Sequence, residues 1–434
     1  MRFTIDTDAI RSAMKTISSL GKSKESSYTV SALNGSVVLI PEEGSLHLHT
    51  ATGTVSSEIV LYSDETNLVV EDGGMIGIQI DNLVAALDVQ RSSRVQFTYD
   101  HKTKYMTVEG AGGEDGSPQK VTIKTDSAEA VSENDLKKPE FNRDEAVIEA
   151  DSDIITSDLL EFTPTSNQDA LFGDAIMIAH VDGKVNLIIR EAQEGMFLGY
   201  KMIPCDVINE FDDIPVPTSY TRVVCNAIRS ASDSDARVCI NHRLGTHERR
   251  IRFTVVKGDK VYLDVIVPQS DAYINSEISS KDLISRINSL VTGNIVTEVV
   301  ANQANLSREL DAATKVGALS DSLLPGDSSP LKNVLFQVGD QEVTVASSQQ
   351  DSRYTGSVVT ENDPGNDGAI PMLMSMSKVG KFLQGHPFGH QENINMYVYD
   401  TLLDKGVYVV ALTPEGEEPS KDPSGTVMFV AQEN

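Results

Sequence analysis

The sequence predicts an α+β fold: three repeated domains, each with two helices packed on antiparallel sheets. Three observations carry this expectation. Strand–turn–strand segments recur in two series of three, with copies spaced by roughly 140 to 160 residues, about what one domain occupies. A strand and a short amphipathic helix precede each hairpin. Tryptophan is absent while Val, Ile and Thr are plentiful, which favours many strands over a large helical core.

The chain opens on the strand "MRFTIDTD", followed by a helix over Asp8–Leu20. There Ile10, Ala13, Met14, Ile17 and Leu20 recur at steps of three and four, so one face is buried, and Asp6, Thr7 or Asp8 can cap the start. The first hairpin series reads "SVVLIPEEGSLHLHTA" from Ser36, "AIMIAHVDGKVNLIIREA" from Ala175 and "NVLFQVGDQEVTVASSQ" from Asn333. Each is a strand, a Gly- or Asp-rich turn and an alternating strand. A further strand follows each: "SSEIVLYS", "MFLGYKMI" and "YTGSVVTE". The second series reads "RVQFTYDHKTKYMTVEG" from Arg94, "RVCINHRLGTHERRIRFTVV" from Arg237 and "NINMYVYDTLLDKGVYVVAL" from Asn393. The remaining helices are expected near Thr156–Thr163 and Ser279–Val291 before the first series, and near Asp81–Val89, Ser219–Ala231 and Leu373–Gln384 before the second. Joins in the polar stretches Asp126–Ala146 and Pro268–Glu277 give domains at 1–130, 145–272 and 273–434. Thr292–Ser329 reads as a polar insertion on the surface of the third, as do "ENDPGNDGA" and "PEGEEPSKDPSG".

With 64 acidic and 36 basic residues the formal charge is −28, which argues against wholesale wrapping by nucleic acid but allows a basic surface confined to one face. Such a face is visible on the helices. Arg11, Lys15 and Lys22 follow at steps of four and seven, returning to nearly one side. Arg91 and Arg94 close the second helix, Arg222 and Arg229 lie seven apart on the fourth, and Lys378 and Lys381 lie three apart on the sixth. The third, "TSDLLEF", is acidic, and Lys281 and Arg286 of the fifth do not share a face. Three cysteines without CxxC spacing suggest a reducing cytoplasm and no disulfide framework. No signal peptide and no membrane-length apolar run is present.

Other motifs read as structural. "LGKS" at Leu20–Ser23 resembles the tail of a phosphate loop, but it follows a helix and Thr16 stands at the first glycine position. "GAGGEDG" at Gly110–Gly116 is a turn between strands. His47 and His49 point to one side of a strand, yet no third metal ligand stands at a matching spacing. His386 and His390 flank "PFG", which breaks the helix their ligation needs, and "SASDSDAR" lacks the calcium-loop pattern. The cluster "HRLGTHERRIR", with Arg249, Arg250 and Arg252, reads as a solvated hairpin tip. No catalytic set is recognisable, so no enzyme activity, metal or cofactor is expected.

Four segments carry a family resemblance. "MRFTIDTDAIRSAM", "TSNQDALFGDAIMI" with Gln168–Asp169, "LIIREAQEGMFLGY" with Gly195 and Leu198, and the closing "GTVMFVAQEN" are similar to stretches of the bacterial DNA polymerase III β sliding clamps. With the threefold spacing, the resemblance covers nearly the whole chain. The family's Met-Pro-Met-Arg-Leu ending is missing, which points to a divergent clamp of the kind a bacteriophage encodes. The resemblance implies a DNA-clamp fold: a crescent that closes head to tail with a second copy into a homodimeric ring, sheets outside and helices lining the hole. It implies a cytoplasmic, non-enzymatic processivity factor that encircles duplex DNA without reading sequence, tethers a DNA polymerase and is handled by a clamp loader, with no membrane partner. Arg11, Lys15, Lys22, Lys24, Arg91, Arg94, Arg222, Arg229, Lys378 and Lys381 would then face DNA, with Gln168 near the rim. A partner peptide would enter beside Met196, Phe197, Leu198, Pro268, Met428, Phe429 and Val430. The competing reading is a β-rich structural or viral scaffold protein whose surface is acidic throughout.

Overall fold

A computed structural model of the chain describes residues 1–21, 35–51, 55–111, 119–125, 141–163, 175–190, 197–242, 250–269, 279–290, 294–318, 333–338, 341–348, 353–361, 370–375, 383, 388, 392–400, 407–419 and 424–433. The first repeat runs β1 (Arg2–Asp6), α1 (Thr7–Gly21), β2 (Ser36–Glu42), β3 (Ser45–Ala51), β4 (Ser56–Tyr62), β5 (Val69–Asp72), β6 (Ile76–Gln79), α2 (Ile80–Asp88), β7 (Arg94–Asp100), β8 (Tyr105–Ala111) and β9 (Lys120–Lys124). The second runs β10 (Ile148–Asp151), α3 (Ser152–Phe162), β11 (Ala175–Val181), β12 (Lys184–Arg190), β13 (Phe197–Ile203), β14 (Asp206–Val207), β15 (Ile214–Pro217), α4 (Thr218–Ala231), β16 (Arg237–Asn241), β17 (Arg250–Lys257) and β18 (Lys260–Pro268). After α5 (Ser280–Leu290), the third runs β19 (Ile295–Asn302), α6 (Gln303–Ala318), β20 (Asn333–Val338), β21 (Glu342–Ser348), β22 (Arg353–Val359), β23 (Ile370–Ser375), β24 (Asn393–Asp400), β25 (Val407–Pro414) and β26 (Gly425–Glu433). All six hairpins expected from the sequence are present.

Two expectations need correction. The polar stretch at 292–329 is not an insertion, since it contains β19 and α6. In α6, Leu306, Leu310 and Ala313 are buried at helical spacing, and Asn302 Oδ1 accepts from the Asn305 N–H at 3.0 Å to cap its first turn. The third repeat's own strand and first helix are therefore β19 and α6, and α5 is an additional helix ahead of them. The helix expected over Leu373–Gln384 does not begin there: Ile370–Ser375 is a strand pairing with β20. Residues 376–382 lie outside the described residues.

The described residues fall into two compact units, and the second repeat is divided between them. The first unit holds Met1–Thr156, Cys205–Glu210 and Tyr220–Gln269. It contains a five-stranded sheet, β5-β1-β7-β8-β9, and a nine-stranded sheet, β14-β10-β16-β17-β18-β4-β3-β2-β6. The apolar face of α1 is fully buried, and Phe3 stacks on Phe97 with centroids 4.6 Å apart. Successive repeats join through main-chain pairing of β4 with β18, from Ser56↔Ile266 to Ile59↔Leu263. Tyr62 extends this seam: its hydroxyl accepts from Val261 N–H and donates to Val261 C=O, both at 3.1 Å.

The second unit holds Ser157–Pro204, Phe211–Ser219 and Ser270–Asn434, with one twelve-stranded sheet. The corresponding seam is β13 with β26, from Phe197↔Phe429 to Lys201↔Gly425. Its buried cluster includes Met177, Ile188, Tyr200, Tyr397, Tyr399 and Val409, with Ile284 of α5 packed against it.

A polar row crosses the nine-stranded sheet. Register pairs His49 with Glu58, Glu58 with Asp264, Asp264 with Thr254, Thr254 with Cys239 and Cys239 with Glu149. Directly paired residues project to one face. Two corrections follow. Arg252 is 5% exposed rather than part of a solvated tip, and its Nε donates to Asp264 Oδ1 at 2.7 Å beside Thr254 Oγ1 at 3.0 Å. His47 and His49 gain the acidic neighbour that sequence spacing lacked, because antiparallel pairing sets Glu58 opposite His49. At the far end, Glu149 accepts from Arg143 Nε at 2.7 Å and Arg237 Nε at 3.1 Å. The Arg143 guanidinium, then that of Arg237, holds the Glu149 carboxyl below its ordinary range despite burial.

Arg252→Met strands a buried carboxylate and is expected to cost roughly 3–5 kcal/mol in urea unfolding, with much of the loss recovered in Arg252→Met/Asp264→Leu. Glu149 has a depressed folded-state pKa. Its contribution is present above the unfolded-state value and lost as pH falls through the folded one. Glu149→Gln should therefore lower stability at neutral pH and flatten the acid limb of the stability curve, read by denaturation at stepped pH.

Candidate nucleic-acid interface and partner-peptide strand

The helical cations divide by what they already touch. On α1, Lys15 is exposed between Ser12 and Ser19. Arg11 lies down instead: its Nη2 donates to the carbonyls of Leu87 and Gln90, both at 2.8 Å, and Nη1 to Asp8 at 3.0 Å. Helix α2 has no basic residue in its last turn, so Arg11 supplies the charge and donors its C-terminal carbonyls require. Arg94 likewise donates to Asn67 C=O at 2.7 Å and lies 4.0 Å from Asp6. Arg91 is exposed.

Helix α4 presents Arg222, Asn226 and Arg229 along an exposed strip, with Arg229 Nε donating to Thr156 Oγ1 at 3.2 Å. A cleft of about 210 Å³ lies between α1 and the end of α4, lined by Ser12, Thr16, Val60, Ser230 and Tyr262 among others. The exposed strips of α1 and α4 thus flank one seam. Helix α3 carries no such strip: Lys201 Nζ donates to Asp158 at 2.7 Å and Glu161 at 3.2 Å. Burial pushes the Asp158 carboxyl up, against the pull of Lys201.

Sequence reading misses Arg308 and Lys315, because the polar composition of 292–329 hides α6. They lie seven apart on that helix, 71% and 74% exposed, Arg308 Nε paired with Glu309 at 3.4 Å and Lys315 Nζ with Asp311 at 2.5 Å. The buried i, i+4, i+7 series of Leu306, Leu310 and Ala313 is the available signal. Lys22, Lys24, Gln168, Lys378 and Lys381 lie outside the described residues.

Two of the expected peptide-site segments, over two hundred residues apart in sequence, are paired strands. In the main-chain register of β13 and β26, Phe197 pairs with Phe429 and Leu198 with Met428, while Val430 pairs with Val409 on the other edge. Met196 lies outside the described residues. Pro268 ends β18 opposite Arg250, in the first unit.

No protein-family model matches the sequence, and no curated protein matches it. Solved structures do. The beta chain of DNA polymerase III from Streptococcus pneumoniae is similar at TM-score 0.70 with 11% identity, over 100% of both chains. A DNA polymerase sliding clamp from Bacillus subtilis matches at 0.70 with 10% identity, over 100% of this chain and 99% of that one. The DNA polymerase III subunit beta of Pseudomonas aeruginosa matches at 0.68 with 13% identity, over 100% of both. The chain has the DNA-clamp fold of the bacterial beta clamps.

Because Arg11 closes α2, Arg11→Met should destabilise the chain by roughly 1.5–3 kcal/mol in urea unfolding, as expected for removing hydrogen bonds to a charged group. Lys15→Met, on the same helix, should stay within about 0.5 kcal/mol.

Proposed function

We propose that this chain is a DNA polymerase processivity factor, a sliding clamp that closes into a ring with a second copy, encircles duplex DNA, tethers a polymerase and catalyses no reaction. One observation carries the reading. In each repeat the strand that follows the first hairpin and the strand that follows the second hairpin are equivalent edges. β4 takes β18 and β13 takes β26, which leaves β22 and β9. Among the described residues β22 has only β21 as ladder partner and β9 only β8. Exposed edges with this much unpaired backbone are normally covered. Pairing β22 of each chain with β9 of the other uses both edges twice and closes a head-to-tail dimer.

Domains near 1–130, 145–272 and 273–434 then give six segments to the ring. Lys15, Arg91, Arg222, Arg229, Arg308 and Lys315 supply exchangeable phosphate contacts, while the acidic excess of the chain, −28 in all, discourages DNA from other surfaces. Lys22, Lys24, Lys378, Lys381 and Gln168 belong to the same proposed surface, and Arg11 and Arg94 serve it by holding its helices and strands. A partner peptide from the polymerase or a clamp loader docks beside β13 and β26, at Met196–Leu198 and Met428–Val430. Activity in the cytoplasm and a bacteriophage origin fit the free thiols and the divergence.

Sedimentation equilibrium should give a two-chain species. β9 exposes Lys120, Thr122 and Lys124, so Thr355→Lys/Ser357→Lys on β22 sets like charges across the proposed seam. That variant should weaken the dimer several-fold with no change in the melting of the chain itself. A strictly monomeric wild type on and off DNA overturns the ring. In DNA retention assays, replacing Lys15, Arg222, Arg308 or Lys315 by Gln removes one phosphate partner at a time. Each replacement should reduce the slope of log K against log salt by about 0.9, whatever the base sequence. Unchanged retention removes these residues from the surface. Phe429→Asp should abolish polymerase stimulation and leave the dimer intact; equal peptide binding by that variant removes the pocket.

A further inference from the structure

We propose that His47, His49 and Glu58 form a binding site for a divalent transition cation of the zinc class, placed on the β4–β18 seam between the first two repeats. The two histidines lie two residues apart on one face of β3, and Glu58 sits opposite His49 on β4. His47 Nδ1 is 2.8 Å from Glu58 Oε1, and His49 Nε2 is 3.0 Å from the same oxygen. One ligand atom from each of the three residues lies within 4.8 Å of the others. A tetrahedral zinc site with bonds of about 2.0–2.1 Å has ligand–ligand edges of roughly 3.3 Å, so a small expansion of this cluster admits the ion. Two imidazoles and a carboxylate suit a borderline-soft cation better than calcium or magnesium, which prefer oxygen ligands.

The surroundings fit a cation. Glu58 is directly paired with Asp264, whose side chain is 1% exposed, so two carboxylates oppose each other across the seam. Arg252 and Thr254 engage the Asp264 side. On the Glu58 side stand the two imidazoles, and a bound cation adds positive charge there. His49 is 8% exposed and its Nδ1 is buried without a hydrogen-bond partner, so Nε2, facing Glu58, is its engaged nitrogen. When His47 Nδ1 ligates, its ring proton resides on Nε2. There Ser45 Oγ at 3.0 Å and the Glu42 carboxylate at 3.8 Å orient the ring. The His47 side chain is 25% exposed, which leaves an approach for a water as fourth ligand.

The test is direct titration of the full chain with Zn²⁺ against a chromophoric chelator, with Co²⁺ absorption as a second readout. One Zn²⁺ per chain is expected, with tetrahedral d–d intensity for Co²⁺. His49→Gln, His47→Gln and Glu58→Gln should each weaken Zn²⁺ by at least tenfold, with unchanged circular dichroism for the more exposed His47 and Glu58 positions. Zn²⁺ should raise the melting temperature of the wild type and not of Glu58→Gln. Equal Zn²⁺ affinity in wild type, His47→Gln and Glu58→Gln overturns the site, as does wild-type uptake below one equivalent. Dimer mass and DNA retention, measured without metal, test the clamp reading separately.

Discussion

Main-chain pairing across the seams is the constraint from which the rest of the architecture follows. A repeat of this kind follows each of its two hairpins with a strand that has one open edge, and an open edge leaves donors and acceptors that need partners. Neighbouring repeats supply them: β4 with β18, and β13 with β26. The seams are continuous sheet, so compactness does not follow the sequence repeats. The second repeat is cut instead, its second hairpin consolidated with the first repeat and its first hairpin with the third. The same pairing sets Phe197 and Leu198 against Phe429 and Met428, although over two hundred residues separate them along the chain.

Charge on the helices obeys a second, local constraint. An exposed cation can serve a mobile polyanion only if the fold does not already use it. Arg11 and Lys15 are four apart on one helix, yet Arg11 holds the C-terminal carbonyls of α2 while Lys15 stays in solvent. Residue type and spacing are alike for the two. The difference arises from where α2 ends, which is tertiary information. Arg308 and Lys315 are exposed cations that sequence reading overlooks because their helix looks like a polar insertion; each is paired within α6, to Glu309 and to Asp311, at the solvent surface where such pairs are weak.

Most of the strand architecture is legible in the sequence, because alternation and Gly/Asp turns are local signals: all six hairpins and the following strands β4, β13 and β22 stand where pattern puts them. The third repeat is less legible. The polar residues of α6 mask its buried Leu306, Leu310 and Ala313, and the apolar run at Ile370–Ser375 has no period that separates strand from helix. The side-chain clusters are illegible for a different reason. Glu58 meets His49, and Arg252 meets Asp264, through strand register, and no spacing rule along the chain encodes that.

Register itself is what the polar row protects. A strand slipped by one residue turns every side chain to the opposite face. At β4–β18 the core-side residues Ile59, Leu263 and Val265 alternate with Glu58 and Asp264. A one-residue slip of β18 would carry the Asp264 carboxylate into the apolar face and away from Arg252, at the cost of an unpaired buried charge. Apolar packing alone distinguishes such registers weakly in a run as uniform as "VYLDVIVP", where Val and Ile lie on both faces. The row from His49 to Glu149 therefore contributes specificity to the seam: it makes one alignment of the repeats acceptable and its neighbours costly.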